Sequence, residues 1–85
     1  MISANGITIT NATIGANGIT ITFTPATDGT YWYDALVNGR FFARYASQIA
    51  ADAGSAARLF SNASTYGELA SAGSVYTVRV VAVDA

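Results

Sequence analysis

Residues 4–10 read Ala4-Asn5-Gly6-Ile7-Thr8-Ile9-Thr10, and residues 16–22 read Ala16-Asn17-Gly18-Ile19-Thr20-Ile21-Thr22, the same seven letters in the same order. Each copy opens on an Asn-Gly pair, which tolerates the positive φ of a tight turn. Isoleucine and threonine then alternate. A period of two in β-branched residues predicts a strand with one apolar and one polar face. The first strand, Ile7 to Thr10, turns Ile7 and Ile9 one way and Thr8 and Thr10 the other. The second turns Ile19, Ile21 and Phe23 inward and Thr20, Thr22 and Thr24 outward. Pro25 ends it, having no N–H to give to a ladder. Two copies are too few for a solenoid, which needs about three stacked units. They predict neighbouring strands of one small β-domain, with Thr8, Thr10, Thr20 and Thr22 as a neutral outward ladder suited to contact with another subunit.

Downstream, Asp28-Gly29 supplies a turn and Tyr31 to Val37 reads as a third strand. Asn38-Gly39 follows, the strongest short hairpin signal, and Arg40 to Tyr45 returns as a fourth strand. A two-residue loop fixes the register. One face then pairs Val37 with Arg40, Ala35 with Phe42 and Tyr33 with Arg44; the other pairs Leu36 with Phe41, Asp34 with Ala43 and Trp32 with Tyr45. Both faces carry large apolar groups, whereas a half-exposed antiparallel sheet shows one polar face. The second face is thus expected to be covered, by this chain or by another subunit. Asp34, set among apolar neighbours, calls for an arginine partner.

Residues 46–62 change character. Ile49, Ala53, Ala56 and Phe60 are spaced for a helical face, Gly54 interrupts it, and Ser55 is placed to cap a second turn. Thr65-x-x-Glu68 resembles a capping box and predicts a further helical turn over Tyr66 to Ser71, closed by Gly73. Val75 to Asp84 reads as the last strand. Tyr76, Val78, Val80 and Ala82 line one face, and Val75, Thr77, Arg79, Val81 and Val83 the other. Being apolar on both sides except at Arg79, it is expected centrally in its sheet.

Composition bounds the function. With 85 residues the chain is one β-rich domain, 1–85. A domain of this size hides only about 60% of its unfolded surface. There is no Cys and no His, so disulfides and the usual zinc sites are excluded and oligomerisation is the aid left open. Only 11% of residues are charged, where about 25% is typical, and all four cations are arginine. That fits either a soluble monomer with a neutral, hydroxyl-rich surface or a subunit largely covered by neighbours, since charge is depleted in interface cores. A net charge of −1 argues against a phosphate-tracking nucleic-acid binder. No apolar run approaches the ~20 residues of a membrane helix. The N-terminus lacks a secretory pattern, so synthesis in the cytoplasm is expected. Asn11-Ala12-Thr13 and Asn62-Ala63-Ser64 match the glycosylation pattern, a match expected by chance in so Thr- and Ser-rich a chain.

Catalytic chemistry finds little to work with. Ser and Thr nucleophiles lack a His or Lys base, and no Gly-x-Ser-x-Gly elbow occurs. Asp28, Asp34, Asp52, Glu68 and Asp84 are scattered, with no calcium-loop spacing, and there is no phosphate-cradling Gly-Lys loop. The expectation is a protein that is not an enzyme and has no metal and no cofactor. The aromatic residues Tyr31, Trp32, Tyr33, Phe41, Phe42 and Tyr45 fill a core, line a protein interface, or form a stacking platform for sugars.

From Ile7 to Asn38 and from Leu69 to Asp84 the chain resembles a fibronectin type III or related immunoglobulin-like domain. Ile19 to Gly29 is similar to that family's second strand and the Pro-rich turn after it, with Phe23 where the family usually has Trp. Tyr33 to Gly39 is similar to its third strand and hairpin, and Leu69, Gly73 and Tyr76 to Val83 to its tyrosine-corner strand. The resemblance implies a small antiparallel β-sandwich. It also implies that the Tyr76 hydroxyl ties back to upstream backbone. Two departures stand out: the helical segment at 46–62 replaces a strand region, and the chain stops before the family's last strand. An unfilled edge beside the final strand would invite a strand from another chain.

Two functions follow as expectations. The first is a non-enzymatic structural subunit of a larger assembly. Small, Cys-free, low-charge β-domains of this kind resemble phage virion components such as capsid decoration, cement or tail proteins. Its partners would be copies of itself or other virion proteins, met through Thr8, Thr10, Thr20, Thr22, Trp32, Leu36, Phe41, Tyr45, Val81 and Val83. The alternative is a carbohydrate-binding or adhesion module that stacks sugars on Trp32 and Tyr45.

Overall fold

Six strands follow one another along the chain: β1 (Ile9–Gly15), β2 (Gly18–Phe23), β3 (Trp32–Val37), β4 (Arg40–Arg44), β5 (Ala56–Ser61) and β6 (Val78–Val83). They are seen in a computed structural model that describes residues 7–63 and 77–84. The strands form two antiparallel three-stranded sheets, in the orders β1-β2-β5 and β4-β3-β6. Their inner faces meet in one core, so the fold is a small β-sandwich. The strand order is compatible with an immunoglobulin-like arrangement.

Alternation dictates the core. Ile19, Ile21 and Phe23 of β2 are fully buried, while Thr20 and Thr22 between them are half-buried on the outer face. Opposite them lie Tyr33, Ala35 and Val37 of β3, with Val80 and Ala82 of β6. The sheets are joined through rings: Phe23 lies 5.3 Å from Tyr33 and 6.0 Å from Phe60, and Tyr45 lies 5.7 Å from Phe60. Burying each such side chain stabilises the fold by about 1.5–3 kcal/mol. The Tyr33 hydroxyl accepts the Ala26 N–H at 2.8 Å, fixing the path of the chain after Pro25. Tyr76, expected to make a tie of this kind, lies outside the described residues, as do the Thr65–Glu68 box and the turn after it.

The β3–β4 hairpin closes on Asn38-Gly39, with φ of 52° and 80°, the positive values that a type I′ turn demands. Val37 faces Arg40 and Leu36 faces Phe41, as the loop length requires. Beyond that point the expected register fails. Phe42 is an extra residue, so Ala35 faces Ala43 and Asp34 faces Arg44. The bulge lets two consecutive residues, Phe42 and Ala43, both enter the core. It also takes the Phe42 carbonyl out of the ladder, and the Asn62 side-chain amide donates to it at 2.7 Å.

Three further expectations are corrected. Residues 56–61 form β5, not a helix, and pair with β2 from Gly18↔Ser61 to Phe23↔Ala56. Alanine is the best helix former, but intrinsic propensity amounts to less than about 1 kcal/mol per residue, and six residues of ladder against β2 override it. Gly54, at φ +77°, breaks the chain just before the strand. The first strand runs Ile9–Gly15 rather than Ile7–Thr10. Ile7 instead bridges to β6, its N–H donating to the Val80 carbonyl at 2.7 Å, on the side where an unfilled edge was expected. Finally, β3 rather than β6 is the central strand of its sheet.

The turn between β1 and β2 sits on Ala16-Asn17, and Gly18 carries the unusual backbone, φ +136°. A Cβ there would lie 2.1 Å from the Phe60 carbonyl oxygen and 2.8 Å from the Asn62 nitrogen, so β2 and β5 approach only because Gly18 has no side chain. At Gly39, also at positive φ, a Cβ would meet nothing within 4 Å. Replacing Gly39 by Ala should cost only the backbone strain, ~1–2 kcal/mol. Gly18→Ala must in addition push β5 off β2, and should lower the urea midpoint by at least twice as much. Equal midpoints for the two variants would show that β2 and β5 do not approach this closely.

Candidate functional site

Two outer faces remain once the core is assigned. On the β1-β2-β5 sheet, Asn11 and Thr13 of β1 face Thr22 and Thr20 of β2, which in turn face Ala57 and Leu59 of β5. A neutral hydroxyl and amide surface therefore exists, but its members differ from those expected. A bulge between Ile9 and Asn11 sets Thr10 out of register, and its hydroxyl donates to the Thr22 carbonyl at 3.2 Å. Thr8 falls where the chain passes from Ile7, beside β6, to Ile9, beside β2, and joins no ladder. Thr13, Asn11 and the exposed Leu59 take their places. The signal for Leu59 was available: with Phe60 inward in a strand, Leu59 must face out.

The outer face of the β4-β3-β6 sheet is built around Asp34. The bulge brings Arg44 opposite it, and the guanidinium grips the carboxylate with both arms, Nε to Oδ1 at 2.7 Å and a terminal nitrogen to Oδ2 at 3.2 Å. The same guanidinium lies over the Trp32 ring, 5.6 Å from its centroid. The arginine partner expected for Asp34 is thus supplied by the adjacent strand. The hydrogen bond to Asp34, partly offset by desolvation and aided by the carboxylate's charge, raises the Arg44 pKa above its already high ordinary value. A raised pKa extends the charged form upward through the ordinary arginine range, so what it contributes is fully present below that range and is lost only as pH rises past the raised value. The pair is therefore not weakened by any titration of Arg44 near neutral pH.

The remaining expected contact residues divide. Val83 faces Trp32 and Val81 faces Asp34, yet Val81 is 4% and Val83 7% exposed, so the chain itself covers that strip. Tyr45 does not share a face with Trp32. Its N–H donates to the Tyr33 carbonyl and its ring packs inward on Phe60. What stays open is the hairpin end. Phe41, 63% exposed, faces Leu36, which on its other side faces Arg79.

One buried cation was not expected. Arg58 points inward from β5 and is 8% exposed. It donates to the carbonyls of Phe23, Ala56 and Gly54 and lies 5.2 Å from the centroid of the Phe23 ring. Among the described residues, no group of three acidic side chains is placed to hold a metal ion. Comparison with protein-family models, curated proteins and solved structures gives no match for the chain.

The Arg44 clamp has a direct optical readout, because Trp32 is the only tryptophan. Asp34→Asn should release Arg44 from the ring, shift the emission to longer wavelength and increase acrylamide quenching, with the fold retained. Unchanged emission and quenching would show that Asp34 does not hold Arg44 over Trp32.

Proposed function

We propose that this protein is a non-enzymatic structural subunit that acts by packing against other subunits of a larger assembly. The observation that carries the reading is Phe41, a large ring 63% exposed at the end of an otherwise well-packed sandwich, in register with half-buried Leu36. Aromatic and arginine side chains are what interface centres select, and here Arg79 shares the face of the ring while Arg40 lies at the same end of the sandwich. The uncharged outer face of the β1-β2-β5 sheet supports the same conclusion. So does the small core, which gains from any further apolar burial. A standard specific interface hides about 1,600 Å² in total, a large addition for so small a domain.

The likeness of such compact, cysteine-free, Thr- and Ala-rich β-domains to phage decoration, cement and tail proteins suggests a virion as the setting. The fibronectin type III likeness is part of the same proposal and rests on the strand order and on the Ile19–Gly29 and Tyr33–Gly39 stretches. The sugar-binding alternative draws less support. Tyr45 faces the core, and one face of Trp32 is already covered by a guanidinium clamped to Asp34.

Light scattering at rising concentration tests the proposal. The native chain should form species larger than a monomer in the micromolar range, and Phe41→Ser should shift that association at least tenfold higher in concentration. Because Phe41 is exposed, the thermal midpoint should change little. A native chain that stays monomeric at millimolar concentration, or specific glycan binding lost in Trp32→Ala, would overturn the subunit reading.

A further inference from the structure

The topology sorts the exposed charges by end. At one end of the sandwich lie the β3–β4 hairpin, with Arg40 directly after its turn, and the start of β6, with Arg79. Both arginines are exposed, and neither has an ion-pair partner among the described residues. Phe41, Leu36 and Arg79 sit in register on three adjacent strands, so the exposed ring and an exposed cation share one face. The opposite end is made of the β2–β3 loop, the β4–β5 loop and the end of β6. These carry Asp28, Asp52 and Asp84, all exposed. A double hydrogen bond between Tyr31 and Ile49, 2.9 and 3.2 Å, ties those two loops together. The nearby cation, Arg58, is turned inward onto backbone carbonyls. Glu68 lies outside the described residues.

Arg79 of β6 and Asp84, the residue just after that strand, are about 16 Å apart at a rise near 3.3 Å per residue. That is about twice the ~8 Å Debye length of physiological salt, so the two ends do not neutralise each other and each keeps its own field. Contact between two Phe41 ends would crowd four arginines together. Contact between a Phe41 end and an aspartate end buries the ring and pairs opposite charges. We propose that the Phe41–Leu36 surface, at the end of the sandwich that carries Arg40 and Arg79, docks on the Asp28, Asp52 and Asp84 end of a second copy, joining copies head to tail. The proposal rests on the subunit reading and adds to it a polarity: such a contact never pairs a patch with itself, and it builds a ring or an open filament rather than a two-fold dimer.

Sedimentation velocity on the full chain tests this with three proteins: native, Arg40→Glu/Arg79→Glu, and Asp28→Arg/Asp52→Arg. Native association should weaken at least tenfold between 50 and 500 mM NaCl, where a purely apolar contact would hold or strengthen. Each charge-reversed variant alone should sediment as a monomer. An equimolar mixture should reassociate, because every Phe41 end then meets an aspartate end of opposite sign. The native salt titration decides the matter without the variants, should either fail to fold. If the native chain associates but neither salt nor charge reversal changes it, the head-to-tail contact is overturned while the subunit reading stands. If the native chain never associates, both fall. If the mixture stays monomeric while each variant is folded, the pairing of these two ends is wrong.

Discussion

With no cysteine to cross-link them, the two sheets depend on the packing around Phe23. Its ring touches Tyr33 of the facing sheet and Phe60 of its own, and Arg58 closes over it. Each neighbour is held in turn: Tyr33 by the Ala26 N–H, Phe60 by the close approach of β5 to Gly18, and Arg58 by three carbonyls. The outer faces inherit their geometry from this centre. Because Tyr33 and Ala35 must face Phe23 and its neighbours, Trp32, Asp34 and Leu36 must face out.

The parts legible in the sequence were those set by local chemistry. The Asn38-Gly39 turn needed only the positive φ that these residues tolerate, and the inward set Ile19, Ile21 and Phe23 needed only alternation. The need of Asp34 for an arginine followed from its neighbours. The parts not legible were set at a distance. Nothing in Arg40–Tyr45 announces that Phe42 will be the extra residue; the slip follows from fitting two side chains into a core supplied by other strands. That slip moved Tyr45 inward and Arg44 outward, and so rewrote the candidate site. Likewise 56–61 carries no strand signal of its own and becomes one by pairing with β2. The expected threonine ladder assumed that identical segments sit side by side, whereas antiparallel pairing sets Thr13 and Asn11 against the second copy.

The two outer faces have different characters. One is hydroxyl and amide, with Leu59 standing out of it. The other is a clamped Trp–Arg–Asp group beside a covered valine strip, ending in an exposed ring. Closing the polar groups of this second face on one another leaves its hairpin end as the place where exposed apolar surface and an exposed arginine coincide. The reading of the protein as a packing subunit gains from that asymmetry, since partners are chosen by where water is least well accommodated.

The repeated heptad has a consequence for how the chain selects its native pairing. Ala4–Thr10 and Ala16–Thr22 have the same letters and so the same intrinsic preferences, yet the second copy holds the central lane between β1 and β5 while Ile7–Thr10 of the first passes from one sheet to the other. Local propensity cannot choose between them. The choice falls to what comes next: Phe23-Thr24-Pro25 after the second copy brings an aromatic anchor and a stop, while Asn11-Ala12-Thr13 after the first brings neither. A duplication that began as two equivalent candidates is thus resolved by a single neighbouring ring, and residue 23 serves as the address label of the lane as well as its filling.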